Sequence, residues 1–187
     1  MKSRFTWVVR PLLAGLLAAA GAAWADKAHE HGAVKLDLAL AGGELTLDVE
    51  IPQDSLLGYE RAPRTDAERQ AAAAALARLR DGGSLFRLEA GAACVLASAE
   101  VRAPVLEPPA GGAVAKGAHP GPDAGGHADV DATYVFRCAQ PARLAALEVL
   151  MFDAFKRIER IDVQAVLPQG QRKLVLRPAA RVLRLAR

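Results

Sequence analysis

The chain is poor in the groups that most enzymes work with. Its serines are Ser3, Ser55, Ser84 and Ser98, and none stands in a Gly-x-Ser-x-Gly elbow. A Walker loop, a Gly-x-Gly-x-x-Gly turn and a His-Glu-x-x-His helix are also absent. Their absence removes the sequence warrant for nucleotide hydrolysis, dinucleotide chemistry and zincin-type proteolysis. Carboxylate pairs such as Asp48 and Glu50 fit an exposed strand face better than an acid–base couple. The expectation is a non-enzymatic protein, with no catalytic residue. One catalytic route remains, water activated at an open metal site, and it would require turnover that disappears with His127→Ala.

An excess of charge of one sign is missing as well. The chain has 24 basic and 21 acidic residues, but Lys2, Arg4 and Arg10 lie in a segment that reads as an export leader. After that basic start come the short apolar run "PLLAGLLAAAGAA" and the small-x-small pattern Ala23-Trp24-Ala25, the marks of a secretory signal peptide over residues 1–25. The run is too short and too rich in Ala and Gly for a membrane span. Cleavage after Ala25 leaves 162 of the 187 residues, with 21 charges of each sign. A neutral mature chain gives no argument for nucleic acid or an anionic membrane surface as partner. Its length suits a single domain over 26–187.

Cysteine is limited to Cys94 and Cys138. An exported protein meets an oxidising compartment, so the two are expected to form one structural disulfide. The competing reading, a pair of metal thiolates, has no Cys-x-x-Cys neighbour or nearby histidine to support it.

Between these sparse residues the patterning is strong. "AVKLDLALA" (33–41) and "ELTLDVEI" (44–51) alternate apolar and polar residues around Gly42-Gly43, which predicts a β-hairpin closed by Pro52. "QDSLLGYERAP" is expected to be irregular or a single helical turn. Thr65 and Glu68 form a capping-box pattern ahead of an alanine-rich helix that ends at Asp81-Gly82-Gly83. Two strands are expected around Gly91, and another in "HADVDATYVFRC". "PARLAALEVLMFDAFKRIERI" fits either one helix or a short helix, a strand and a second helical turn. "RIDVQAVLP" and "QRKLVLRP" predict a closing hairpin. Half of residues 107–126 are Gly or Pro, which predicts a flexible surface loop. The sum is an α+β fold, one β-rich and mostly antiparallel domain with one or two helices.

Histidine is scarce, and its placement is informative. The chain has four: His29 and His31 near the expected mature start, and His119 and His127 in and at the exit of the Gly/Pro loop. In an extended segment residues two apart face the same side, so His29 and His31 can present both imidazoles to one ion. His127 and Asp129 share that relation at the start of a strand. Two histidines from one segment with a histidine and a carboxylate from another would fill a tetrahedral site. Such nitrogen and oxygen donors suit Zn²⁺, with Cu²⁺ and Ni²⁺ able to compete. The candidate ligands are His29, His31 and His127, with Asp129, His119 or Glu30 completing the set.

Taken in order, "AHEHGAVKLDLALAGGELTLDVEIPQDSLLGYE", "GAACVLASAEV", "HADVDATYVFRC" and "LEVLMFDAFKRIERIDVQAVLPQGQRKLVL" resemble the ZrgA-like family of periplasmic zinc-binding proteins. The resemblance covers nearly the whole mature chain. It implies a non-enzymatic periplasmic protein that contributes to zinc acquisition or buffering, with a component of a zinc-uptake system as partner. It carries His29, Glu30, His31 and His127 to metal-binding positions and Cys94 and Cys138 to the family's cysteine pair. Two departures stand out: the central loop has only His119 before the exit histidine, and Arg61 stands where a histidine would be expected. The alternative is an envelope protein-interaction module whose sheet edge or Gly/Pro loop contacts a partner, with incidental metal affinity.

Overall fold

The computed structural model describes residues 30–107 and 128–185. The expected leader, His29, His119, His127 and almost all of the Gly/Pro-rich segment lie outside the described residues. The predicted hairpin is present as β1 (Ala33–Ala41) and β2 (Glu44–Pro52), in a register that pairs Lys35 with Glu50 and Ala41 with Glu44. Gly42 and Gly43 both take positive φ at its turn, the conformation that a tight hairpin demands. Pro52 ends β2, and the next residues make one helical turn, α1 (Gln53–Leu57).

The alanine-rich helix is α2 (Asp66–Arg80), and its capping box is complete: Thr65 Oγ1 accepts from the Glu68 N–H while the Glu68 carboxylate accepts from the Thr65 N–H. Next come β3 (Phe86–Leu88) and β4 (Cys94–Arg102). β5 (Asp129–Cys138) follows the undescribed segment and buries Val130, Ala132, Tyr134 and Phe136 as its alternation predicts. The ambiguous stretch resolves into a 3₁₀ turn at Pro141–Arg143, β6 (Ala146–Val149) and a short α3 (Met151–Ala154). β7 (Arg160–Leu167) and β8 (Gly170–Leu176) form the closing hairpin, and a strand not anticipated from the sequence, β9 (Val182–Arg184), follows it.

Six strands form one sheet in the order β4-β5-β2-β1-β7-β8, and β3-β6-β9 form a smaller one. Every pairing is antiparallel except β1 with β7, which runs parallel from Ala33↔Arg160 to Ala39↔Val166. The fold is α+β, as the patterning predicts. One apolar core joins the inner face of the large sheet to α2 and the small sheet. Phe86 of β3 meets Tyr134 and Phe136 of β5 edge-on, with ring centroids 5.2 and 6.4 Å away. No helix among the described residues is long and apolar enough to cross a membrane.

The end of α2 rests on one contact. The Tyr134 hydroxyl donates to the Leu79 carbonyl at 2.8 Å, satisfying an acceptor that the last helical turn leaves open. Gly82 lies flat against the same ring, and a Cβ there would fall 2.3 Å from Cδ1. Gly82→Ala is therefore expected to cost about 1–3 kcal/mol, the usual range for overpacking a core. Urea unfolding measures it, and an unchanged midpoint would mean that the ring has room to move.

Candidate metal centre

The chain turns sharply before β1. The Ala33 N–H donates to the Glu30 carbonyl at 3.0 Å, and Gly32 takes φ +77°. The approach to β1 is thus a turn over residues 30–33, and His29, the other member of the histidine pair, lies outside the described residues. A side chain at Gly32 would be strained by that φ and crowded by Glu159, so the turn is built for glycine.

Across the sheet end, α1 brings Asp54 beside this turn. His31 Nδ1 lies 3.4 Å from Asp54 Oδ2, and His31 Nε2 lies 3.3 Å from Glu60 Oε1. One donor atom from each of the three residues lies within 4.8 Å of the other two. Zinc bonds of about 2.0–2.2 Å separate tetrahedral ligand atoms by about 3.3–3.6 Å, so side-chain rotation of modest size closes this set around an ion. One imidazole and two carboxylates form a donor set that suits zinc in chemistry and in charge. The Asp54 side chain is 16 % exposed, whereas His31 and Glu60 are 69 % and 44 % exposed, so an ion has a direct path to and from solvent.

Glu60 is presented by a braced loop. Gly58, at φ +82°, ends α1 and donates to the Asp54 carbonyl at 2.7 Å. Arg61 makes a bidentate pair with Glu68 at 2.9 and 2.7 Å, and its guanidinium lies 4.6 Å from the centre of the Tyr59 ring. The residue found where a histidine would be expected is therefore a brace between the loop and the start of α2.

That brace is sensitive to acid. The Arg61 bond, followed by the backbone N–H groups of Arg64 and Thr65, lowers the Glu68 carboxyl to about 2 from its ordinary 4.5. Because the folded value is depressed, the stability it contributes is full above about pH 4.5 and is lost as pH falls toward 2. Urea midpoints of wild type and Glu68→Gln are expected to converge over that interval. Parallel curves would show that Glu68 carries no such coupling.

Of the ligand candidates taken from the sequence, His31 is in this cluster. Glu30 is not: both its oxygens bind Arg160, at 2.6 and 2.7 Å, and Arg160 also bonds Asp162. Asp129 opens β5 opposite Pro52. His29, His119 and His127 lie outside the described residues, although His127 adjoins Ala128, whose carbonyl accepts from the Gln53 N–H at 2.8 Å. Asp54 and Glu60 were missed in the sequence. No sequence pattern points to Asp54, because the hairpin pairing stops at Lys35↔Glu50 and residues 53–57 turn into α1.

Cys94 and Cys138 are disulfide-bonded, which excludes their service as thiolate ligands. A groove of about 700 Å³ on the outer sheet face is lined by Lys35, Glu50, Arg160, Asp162 and Lys173. Its carboxylates are ion-paired, Glu50 with Lys35, and Glu30 and Asp162 with Arg160.

A family model described as "ZrgA family zinc uptake protein" matches residues 28–185. No curated protein matches the chain.

Proposed function

The chain belongs to the ZrgA family of zinc uptake proteins, and from that premise we propose that it is a periplasmic, non-enzymatic zinc carrier that binds its cargo through His31, Asp54 and Glu60. The observation that carries this reading is the convergence of those three donors, within 4.8 Å of one another, from three separate chain segments. Their exposure suits an ion that must be taken up and passed on, to a component of a zinc-uptake system. Two features support export: the leader pattern before Asp26, and a disulfide of the kind that persists in oxidising compartments. Cu²⁺ and Ni²⁺ are the ions most able to compete, since imidazole suits all three metals. His29 or His127 would supply a fourth ligand.

Calorimetric titration of the metal-stripped chain over residues 26–187 tests the proposal. Submicromolar zinc binding at one equivalent is the expected result. Binding weaker than about 100 μM, near −5.5 kcal/mol, would contradict it and favour an envelope interaction module with incidental metal affinity.

A further inference from the structure

Apart from the Tyr134 phenol, the only polar side chains buried among the described residues are those of Gln53 and Ser55, each 1 % exposed. They flank Asp54. Such groups are rarely enclosed unless their hydrogen bonds accomplish something. Each of these two ties α1 to a different segment of the metal centre.

Ser55 Oγ accepts the Gly32 N–H at 3.0 Å, fixing the turn that carries His31. The same hydroxyl approaches Asp54 Oδ1 at 3.4 Å, while Asp54 Oδ2 is the oxygen that faces His31. One carboxylate oxygen is thereby oriented by the hydroxyl and the other is left for an ion, the division seen where outer partners orient metal ligands. Gln53 Nε2 donates to the Tyr59 carbonyl at 3.0 Å and to the Arg61 carbonyl at 2.6 Å. Those two carbonyls bracket Glu60. The Gln53 backbone N–H holds Ala128, the neighbour of His127.

Gln53 Oε1, by contrast, is buried with no hydrogen-bond partner among the described residues. An apolar residue at 53 would remove that uncompensated acceptor, but it would also release the loop on both sides of Glu60. The two bonds that the Gln53 amide donates satisfy carbonyls on both sides of Glu60, so the amide holds in shape the loop that presents that carboxylate.

We infer that Gln53 and Ser55 are positioning residues for the metal centre, Gln53 acting through Glu60 and Ser55 acting through His31 and Asp54. This inference rests on the zinc-carrier reading, and double-mutant cycles separate the two. Zinc affinity would be measured by chelator competition for Gln53→Met, Glu60→Ala and their combination, and for Ser55→Ala, His31→Ala and theirs. Urea unfolding of each metal-free protein checks that it folds.

Gln53→Met is expected to weaken zinc about 10-fold or more, the scale of losing an outer partner, and to add nothing in the Glu60→Ala background. Its Co²⁺-loaded form should also lose the absorption spectrum of the wild-type ligand set. Ser55→Ala should behave likewise against His31→Ala, and it decides the question alone if Gln53→Met does not fold. Losses of equal size in both backgrounds, or no loss in the single variants, would overturn the inference while leaving the carrier reading intact. Unchanged affinity in Glu60→Ala and His31→Ala would remove both.

Discussion

His31→Ala is expected to weaken zinc binding by about 100-fold or more, beyond the 10–100-fold that follows loss of an outer-shell partner. His31 is the nitrogen donor of the cluster, and its two ring nitrogens face Asp54 and Glu60 at 3.4 and 3.3 Å. Without the imidazole the donors left in the cluster of described residues are carboxylate oxygens, which favour hard cations over zinc. Glu60→Gln should cost less, about 10-fold, because an amide oxygen is a weaker ligand than a carboxylate but stays in position. Lys35→Ala, in the neighbouring groove, should leave affinity unchanged. Competition against a chromophoric chelator measures all three. Equal affinity for wild type and His31→Ala would remove the cluster from consideration.

Cutting the disulfide is expected to have the largest effect on stability. Cys94 and Cys138 stand directly opposite each other across β4 and β5 and are 44 positions apart in sequence. Closing a loop of that length restricts the unfolded chain by an amount worth about 4 kcal/mol in the chain-entropy account. The effect should be close to that figure, because the only strand paired with β4 among the described residues is β5. The paired Cys94→Ser/Cys138→Ser variant should therefore show a large drop in urea midpoint. Its zinc affinity should survive wherever it remains folded. The bridge lies at the Cys138 end of β5 and the metal centre near its Asp129 end, a separation of about 30 Å at the ordinary rise of a ten-residue strand. A stability change below about 1 kcal/mol would contradict the entropic account, and a parallel loss of zinc affinity would contradict the separation of fold and site.

Local signals carried most of the fold. The β1–β2 hairpin is readable because Gly42-Gly43 fixes its turn and alternate residues enter the core. The start of α2 is readable because Thr65 and Glu68 satisfy each other's backbone. β6 and α3 were ambiguous for a physical reason: Leu147, Val149, Met151 and Phe152 are all buried, so the stretch shows period two and then loses it within six residues. The parallel union of β1 with β7 joins segments more than a hundred residues apart, and neither segment names its partner. β9 has three residues, too few for a period to show.

The metal centre divides along the same line. His31 stands out by residue type in a chain with four histidines. Asp54 is brought to it by the helical turn after Pro52, where the strand pattern ends. Glu60 does not follow from any local pattern, because its place depends on the left-handed Gly58, the buried Gln53 amide and the Arg61–Glu68 brace acting together. The pairing of Glu30 with Arg160 joins residues 130 positions apart, and no local pattern in the sequence announces it.

Anomalous diffraction at the zinc edge from crystals of the zinc-loaded chain tests the central claim most directly. The account predicts a single strong peak within about 2.0–2.2 Å of one nitrogen of His31 and one oxygen each of Asp54 and Glu60. A peak whose ligands exclude Asp54 and Glu60 would contradict it, and the zinc would then belong to the other histidines of the chain.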